Sequence, residues 1–267
     1  MKEEVKKAEA LLILDRRIVG IKIAYSEDEF NRFEAVRAIA PIPYCVAVRS
    51  ASLGHAVKFT AENSGCGGSS RALGLIKPTV GFYSGKDGCR LGLYSDEKIS
   101  SEVAQKMALC RPGAYGIIVK PLEMFEENPD VVLMITDSNN CMRLLQGYTY
   151  FYGMQDKFCM TGNQAVCVEC TAIPILTDNI NLSMFCSGTR FLAKWKEYEV
   201  AVGIPYKKFA RVIEGVRLTV NAVESDERKE VIALRLGQLG YEREEIVFGD
   251  TYYLRLEREK RRRRGRD

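Results

Sequence analysis

Apolar residues occur in short runs separated by polar, glycine- or proline-marked breaks, and their period changes from run to run. Residues 18–24, 115–120 and 131–135 are β-branched runs of strand length, and 57–60 is a shorter one. Other stretches carry the helical period. Leu11, Leu12 and Leu14 punctuate the charged segment 3–17, which predicts a short helix. From Cys141, apolar residues recur at 144, 145, 148, 151 and 152, one face of a helix that ends at Gly153. Pro41 and Pro43 break the chain before a helix over 45–52, and Ser69 to Ile76 predicts another. Ser95-Asp-Glu starts a helix reaching 109, whereas Pro78 and the glycines at 81, 85, 88 and 92 predict a hairpin or irregular segment. Residues 162–170 open a helix expected to stop before Pro174. An amphipathic helix follows over 206–222, then one capped at Ser225 and running to Gly240, then a last alternating strand over 247–256. Interleaved strands and helices predict an α/β or α+β fold.

One local pattern is written twice. Lys58-Phe-Thr-Ala-Glu-Asn-Ser-Gly-Cys66-Gly-Gly-Ser-Ser-Arg71 runs from a strand through a glycine-rich turn into a helix. Ile180-Asn-Leu-Ser-Met-Phe-Cys186-Ser-Gly-Thr-Arg190 repeats it, with gaps of a few residues. Each copy is preceded by a further cysteine, Cys45 and Cys167, about 20 residues upstream. The expectation is an internal duplication related by a pseudo-two-fold. It makes residues 1–254 a single compact domain of two related halves, about 18–120 and 121–204, with a C-terminal helical segment over 205–254. Residues 255–267 form a basic tail, and the site lies between the halves at the two cysteine turns.

Composition narrows the chemistry. A chain of 267 residues with 46% hydrophobic and 28% charged residues can bury a substantial core. No apolar run approaches the ~20 residues of a membrane helix, and the N-terminus lacks a signal-peptide pattern, so a cytoplasmic protein without membrane association is expected. The net charge of +4 comes from residues 255–267, where eight basic residues face three acidic ones; without that net +5 the remainder sums to −1. The body therefore carries no basic footprint for nucleic acid. Arg261 to Arg264 could make weak contact with RNA or an anionic surface, and a solvated terminus is the favoured reading of them. Nine cysteines in a reducing compartment point to metal binding, thiol chemistry or burial, rather than to disulfides. The sole histidine, His55, excludes multi-histidine metal sites and reads as a loop residue.

The chain resembles the uncharacterised prokaryotic "domain of unknown function 169" family. The resemblance rests on Cys66-Gly-Gly with Leu73-Gly74, on Pro129-Asp-Val-Val-Leu133 leading into the 139–153 helix, and on Gly162-Asn-Gln-Ala-Val-Cys167. It continues through Cys186-Ser-Gly-Thr-Arg190 and 199–205, and spans about residues 18–240. Where the family carries Gly-Asp-Arg or similar after the last cysteine, this chain has Gly188-Thr-Arg190. The resemblance supports the boundaries and cysteine positions and implies no activity.

Three chemistries fit these residues. The first is a thiolate-ligated metal site from Cys45, Cys66, Cys167 and Cys186, with a [4Fe–4S] cluster ahead of zinc and a redox partner protein implied. Glycines at 65, 67 and 68 would let backbone approach a bulky cofactor, and Arg71, Asn163 and Arg190 complete the cofactor-contacting candidates. The second is a dithiol at Cys167-Val-Glu-Cys170. The third is a metal-free site for a small anion or nucleotide at the Gly65–Ser70 turn, although both phosphate-loop fingerprints fail in detail. Cys89, Cys110, Cys141 and Cys159 read as packing residues. Asp130, Glu169 and Glu199 read as caps or surface charges, and no catalytic residue or enzyme class is indicated.

Overall fold

The continuous apolar runs become neighbouring strands of one sheet. The computed structural model describes residues 1–220 and 224–242; the predicted strand over 247–256 and the basic tail lie outside them. The strands are β1 (Val19–Ala24), β2 (Val36–Arg37), β3 (Val57–Thr60), β4 (Gly116–Pro121), β5 (Val131–Thr136), β6 (Asn181–Ser183) and β7 (Val200–Pro205), in the order β2-β3-β4-β1-β5-β7-β6. Only β2 and β3 run parallel; every other pair is antiparallel. β4, β5 and β7 are buried at every position, which is why their sequences are mostly apolar rather than alternating, with the buried Lys120 of β4 paired to Glu126.

The helices are α1 (Lys2–Leu12), α2 (Glu27–Arg32), α3 (Tyr44–Ser52), α4 (Gly67–Ala72), α5 (Val80–Tyr83), α6 (Lys86–Arg90), α7 (Glu97–Lys106), α8 (Ser138–Tyr152), α9 (Ile173–Thr177), α10 (Ser187–Ala193), α11 (Tyr206–Leu218) and α12 (Asp226–Gly237), with a π-helix over Ala165–Ala172. Contacts divide the chain into two compact units. The larger comprises residues 16–138 and 155–208 and holds the sheet; the smaller draws on residues 1–15, 139–154 and the described residues from Phe209 onward.

Within the larger unit the chain follows one course on each side of the central β1/β5 pair, where Val19 faces Leu133 and Ile21 faces Val131. From β1 it passes through α3 to β3, then α4, and returns as β4 between β3 and β1. From β5 it passes through the π-helix to β6, then α10, and returns as β7 between β6 and β5. The helices pack crosswise, α10 against α3 and α4 against the π-helix. The π-helix lies tight on β7. A Cβ on Gly203 would sit 2.1 Å from the Cys170 carbonyl oxygen, so only glycine admits this approach.

Two local expectations are corrected. Residues 78–92 are neither hairpin nor irregular: the Thr79 hydroxyl accepts from Phe82 N to cap α5, and α6 begins after Gly85. The helix entered after Gly162 does not stop before Pro174. The π-helix runs on into α9, whose first turn accommodates the proline because N–H groups there need no intrahelical acceptor.

In the smaller unit, α11 buries Phe209, Val212, Ile213 and Val216 on one face. The buried Arg143 guanidinium of α8 donates to the Val216 and Thr219 carbonyls where α11 ends, supplying donors that the helix terminus lacks. Arg228 of α12 donates to Asn140 Oδ1 (2.7 Å) and to the Leu12 carbonyl of α1, and Lys7 pairs with Glu214. No helix among the described residues is long and apolar enough to cross a membrane.

Candidate four-cysteine site

Four segments of the larger unit each deliver one cysteine. Pro43, with its fixed φ, is the N-cap of α3 and places Cys45 in the first turn. Cys66 is the N-cap of α4, just beyond β3, and Cys186 is the N-cap of α10, just beyond β6. The Cys186 sulfur accepts from Thr189 N at 3.3 Å and lies 3.1 Å from Thr189 Oγ1. Cys167 is in the π-helix, a form associated with functional sites because its wider turn redirects side chains. All four line one cavity of about 250 Å³, together with Tyr44, Gly68, Ser69, Arg71, Asn163 and Gln164. Beside it, the Tyr44 hydroxyl meets Thr171 Oγ1 at 2.7 Å, a buried polar contact joining α3 to the π-helix.

The thiols sense one another's charge. Burial, followed by the neighbouring Cys66 and Cys186, raises the Cys45 pKa to about 11, against which the Thr189 hydroxyl contact pulls it down. Burial raises Cys167 well above the ordinary thiol value, with Cys66, Cys186 and Cys45 adding to the shift. Burial thus favours the neutral form of Cys45 and Cys167, and a cation among the sulfurs would favour their thiolates. Among the described residues, no three or more His, Cys, Asp or Glu side chains already surround a point that would hold a single metal ion.

The wall carrying Asn163 and Gln164 is fixed from beneath. The buried Glu169 carboxylate accepts from Thr161 N (2.7 Å), Gly162 N (3.2 Å) and the Ser183 hydroxyl (2.5 Å). Thr161 Oγ1 in turn accepts from Asn163 N and Gln164 N. Asn181 clamps the same stretch, donating to the Cys159 and Glu169 carbonyls and accepting from Cys159 N. Expected as a cap or surface charge, Glu169 is instead 1% exposed. Glu199 is also buried, bound by Arg16 Nε (2.5 Å) and Lys196 N, while Asp130 accepts from Ile23 N and Lys22.

The other sequence candidates separate. Gly68, Arg71 and Asn163 line the cavity. Gly65 instead admits backbone: a Cβ there would lie 2.9 Å from Pro43, so the Cys66 turn rests against the entry to α3. Gly67 opens α4 with free space beside it. Arg190 is a brace, not a cavity residue; its guanidinium donates to the Met184, Lys196 and Glu199 carbonyls. Cys170 is fully buried, its sulfur 3.5 Å from the Ala201 carbonyl, so the C-x-x-C does not present two thiols to the cavity. Cys110 and Cys141 are buried as expected, but Cys159 is exposed and Cys89 half-buried, and His55 is exposed in its loop. The sequence reading missed Tyr44, Gln164, Thr189, Leu91, Leu93 and Leu192. Tyr44 and Gln164 adjoin named residues, whereas Leu91 and Leu93 sit in the segment set aside as irregular.

A pH prediction follows for the chain purified without metal. A thiol whose folded pKa is raised favours the fold while protonated. That contribution is complete below the unfolded value near 9.0 and is lost as pH climbs through about 11. Stability should fall across this window, and carboxymethylation of Cys45, followed by peptide mass spectrometry, should keep accelerating toward pH 11. At pH 8 the rate should be roughly a hundredfold below that of a free thiol, since two pKa units cost that much thiolate. A rate that levels off by pH 9 would refute the buried setting of Cys45.

Against known proteins, the family model described as domain of unknown function 169, "Uncharacterised ArCR", matches residues 8–215. An uncharacterised protein of Methanocaldococcus jannaschii is 25% identical over 219 residues, covering 81% of this chain and 93% of that protein. No solved structure matches the chain.

Proposed function

The chain belongs to the domain of unknown function 169 family, "Uncharacterised ArCR", and from that premise we propose that Cys45, Cys66, Cys167 and Cys186 hold an iron–sulfur cluster in an electron-transfer protein. One observation carries this reading: four thiols from four separate segments line a single cavity. Three segments could have met in packing alone. A fourth thiol, with the local sequence strand–cysteine–helix used twice, is an unusual cost unless the sulfurs share a ligand. The two matching courses of the chain support reading the unit as a duplicated pair of halves, each giving one cysteine at a helix N-cap and one on the preceding helical segment.

The donor set suits soft iron, and four thiolates make the ligand set of a [4Fe–4S] cluster. Zinc is the lesser reading, because it would need all four sulfurs drawn to about 2.3 Å from one point. When bound, the cluster would accept and release an electron, and a redox partner protein would exchange it. The chain's own residues do the rest. The N-cap positions of Cys66 and Cys186 leave helix N–H groups near sulfur, as Thr189 N already is to Cys186. Leu91, Leu93 and Leu192 line the cavity with apolar surface. Loading requires the raised thiols to lose protons, so iron uptake should strengthen with pH.

Protein purified anaerobically and assayed for iron, acid-labile sulfide and visible absorbance tests this directly. About four irons and four sulfides per chain, with broad absorbance bleached by a reductant, are expected. Preparations and reconstitutions that never hold iron, or that hold about one zinc per chain, would sink the cluster.

A further inference from the structure

One wall of the cavity carries polar groups that neither the thiols nor the fold uses. Arg71 stands there with its guanidinium 4.0 Å from the centre of the Phe82 ring. Asn163 and Gln164 flank it on the same wall. Among the described residues, the side chains of Arg71, Asn163 and Gln164 make no hydrogen bond; the Asp87 carboxylate is close enough for its charge to offset part of the burial cost of Arg71, but accepts from the Thr79 hydroxyl at 3.0 Å and lies 3.8 Å from Arg90. A guanidinium held by its face on an aromatic ring keeps its edge donors free, and a planar edge of paired N–H groups matches the two oxygens of a carboxylate or phosphate. Burial also weakens the charged form of Arg71, and a bound anion would offset that.

The rest of the wall fits a small molecule. The Asn163 and Gln164 backbone is held by Thr161 and, through it, by Glu169, so their amides are presented from a fixed loop. Leu91, Leu93 and Leu192 supply apolar surface. A smaller cavity of about 40 Å³ adjoins, sharing Arg71, Leu91, Leu93 and Gln164 with the first. We infer that the cavity contains a subsite for a small oxyanion, its carboxylate or phosphate on the edge of Arg71, its neighbouring polar atoms on Asn163 and Gln164, and a short apolar body against the leucines. The subsite shares the cavity with Gly68 and Ser69 of the glycine turn, but its donors are the side chains of Arg71, Asn163 and Gln164.

The inference does not depend on a cluster, and its test runs on the full chain both iron-loaded and iron-free. Inorganic phosphate in one arm and butyrate in the other are titrated while the thermal midpoint is followed, with affinity measured by calorimetry. A rising midpoint in either arm is expected, growing with the logarithm of concentration as binding to the folded state requires. The arm that responds identifies the anion. Arg71→Gln should lose that shift and weaken binding roughly tenfold or more. Lys77→Gln, at an exposed position outside both cavities, should keep it and so controls for general salt effects. If Arg71→Gln does not fold, alkylation of wild-type Cys66 gives the second measurement, and the responding anion should slow it. No shift in either arm, an equal shift in Arg71→Gln, or unprotected Cys66 overturns the subsite. A chain that never binds iron yet shows the Arg71-dependent shift removes only the cluster; an iron-loaded chain without the shift removes only the subsite.

Discussion

Serine at Cys66 or at Cys186 should each abolish bound iron, whereas serine at Cys141 should leave it unchanged. Serine is nearly isosteric with cysteine but offers a hard oxygen that stays protonated, so one of four soft ligands is lost and its proton remains in the cavity. Each position is the N-cap of a short helix following a strand, although only the Cys186 sulfur accepts from its own helix, and both variants should lose iron. Cys141 is buried on α8 and does not line the cavity. Cys170→Ser is the sharper control. Cys170 lies three residues from Cys167, yet its sulfur faces the Ala201 carbonyl. Iron retained in Cys170→Ser and lost in Cys167→Ser would separate a four-thiolate site from a dithiol. Iron and sulfide per chain are the readout, with circular dichroism confirming the fold. Full iron content in both Cys66→Ser and Cys186→Ser would end the shared-ligand reading.

The largest effect on stability should come from Glu169→Ala, with a loss of about 2–4 kcal/mol. Its carboxylate is buried and accepts three hydrogen bonds, two from backbone N–H groups of the Thr161–Gly162 stretch and one from Ser183. Alanine orphans all three donors and leaves a void, so desolvation and cavity costs add. The damage should also be directional. Residues 161–164 depend on this carboxylate, so hydrogen exchange there should rise more than in β5 or β7, and the wall bearing Asn163 and Gln164 should loosen. Urea unfolding gives the free energy, read as a lower midpoint at unchanged slope. A shift below about 1 kcal/mol would mean that water replaces the carboxylate easily and that the loop is held some other way.

Much of the fold was legible because its signals are local. The runs at 18–24, 57–60, 115–120 and 131–135 correspond to β1, β3, β4 and β5, since strands buried on both faces are rich in β-branched and apolar residues even where a lysine interrupts them. Caps were legible too: Ser225 accepts from Arg228 N, as a polar residue before a helical run should. Misreadings arose where local rules permit two outcomes. Glycines at 81, 85 and 88 suggest turns, but the Thr79 cap and packing of α5 and α6 against α7 sustain two short helices. Pro174 suggests a stop, but a proline in the first turn of a following helix costs no hydrogen bond.

The same division runs through the site. Sequence by itself determined which cysteines stand at strand-to-helix turns, because glycine, small residues and an apolar lead-in are all that such a turn requires. It also determined that histidine chemistry has almost no part here, since one exposed histidine cannot build it. Only the tertiary structure decided that Cys45, Cys66, Cys167 and Cys186 line one cavity, that Cys170 turns away, and that Arg190 braces carbonyls while Arg71 keeps its donors free. The reason is geometric. Crosswise packing of α10 on α3 and of α4 on the π-helix joins segments far apart in the chain, and no local period encodes a contact of that range. Glu169 shows it most plainly: a carboxylate that reads as surface charge is buried because three donors, two of them fixed by backbone, converge where the chain brings them.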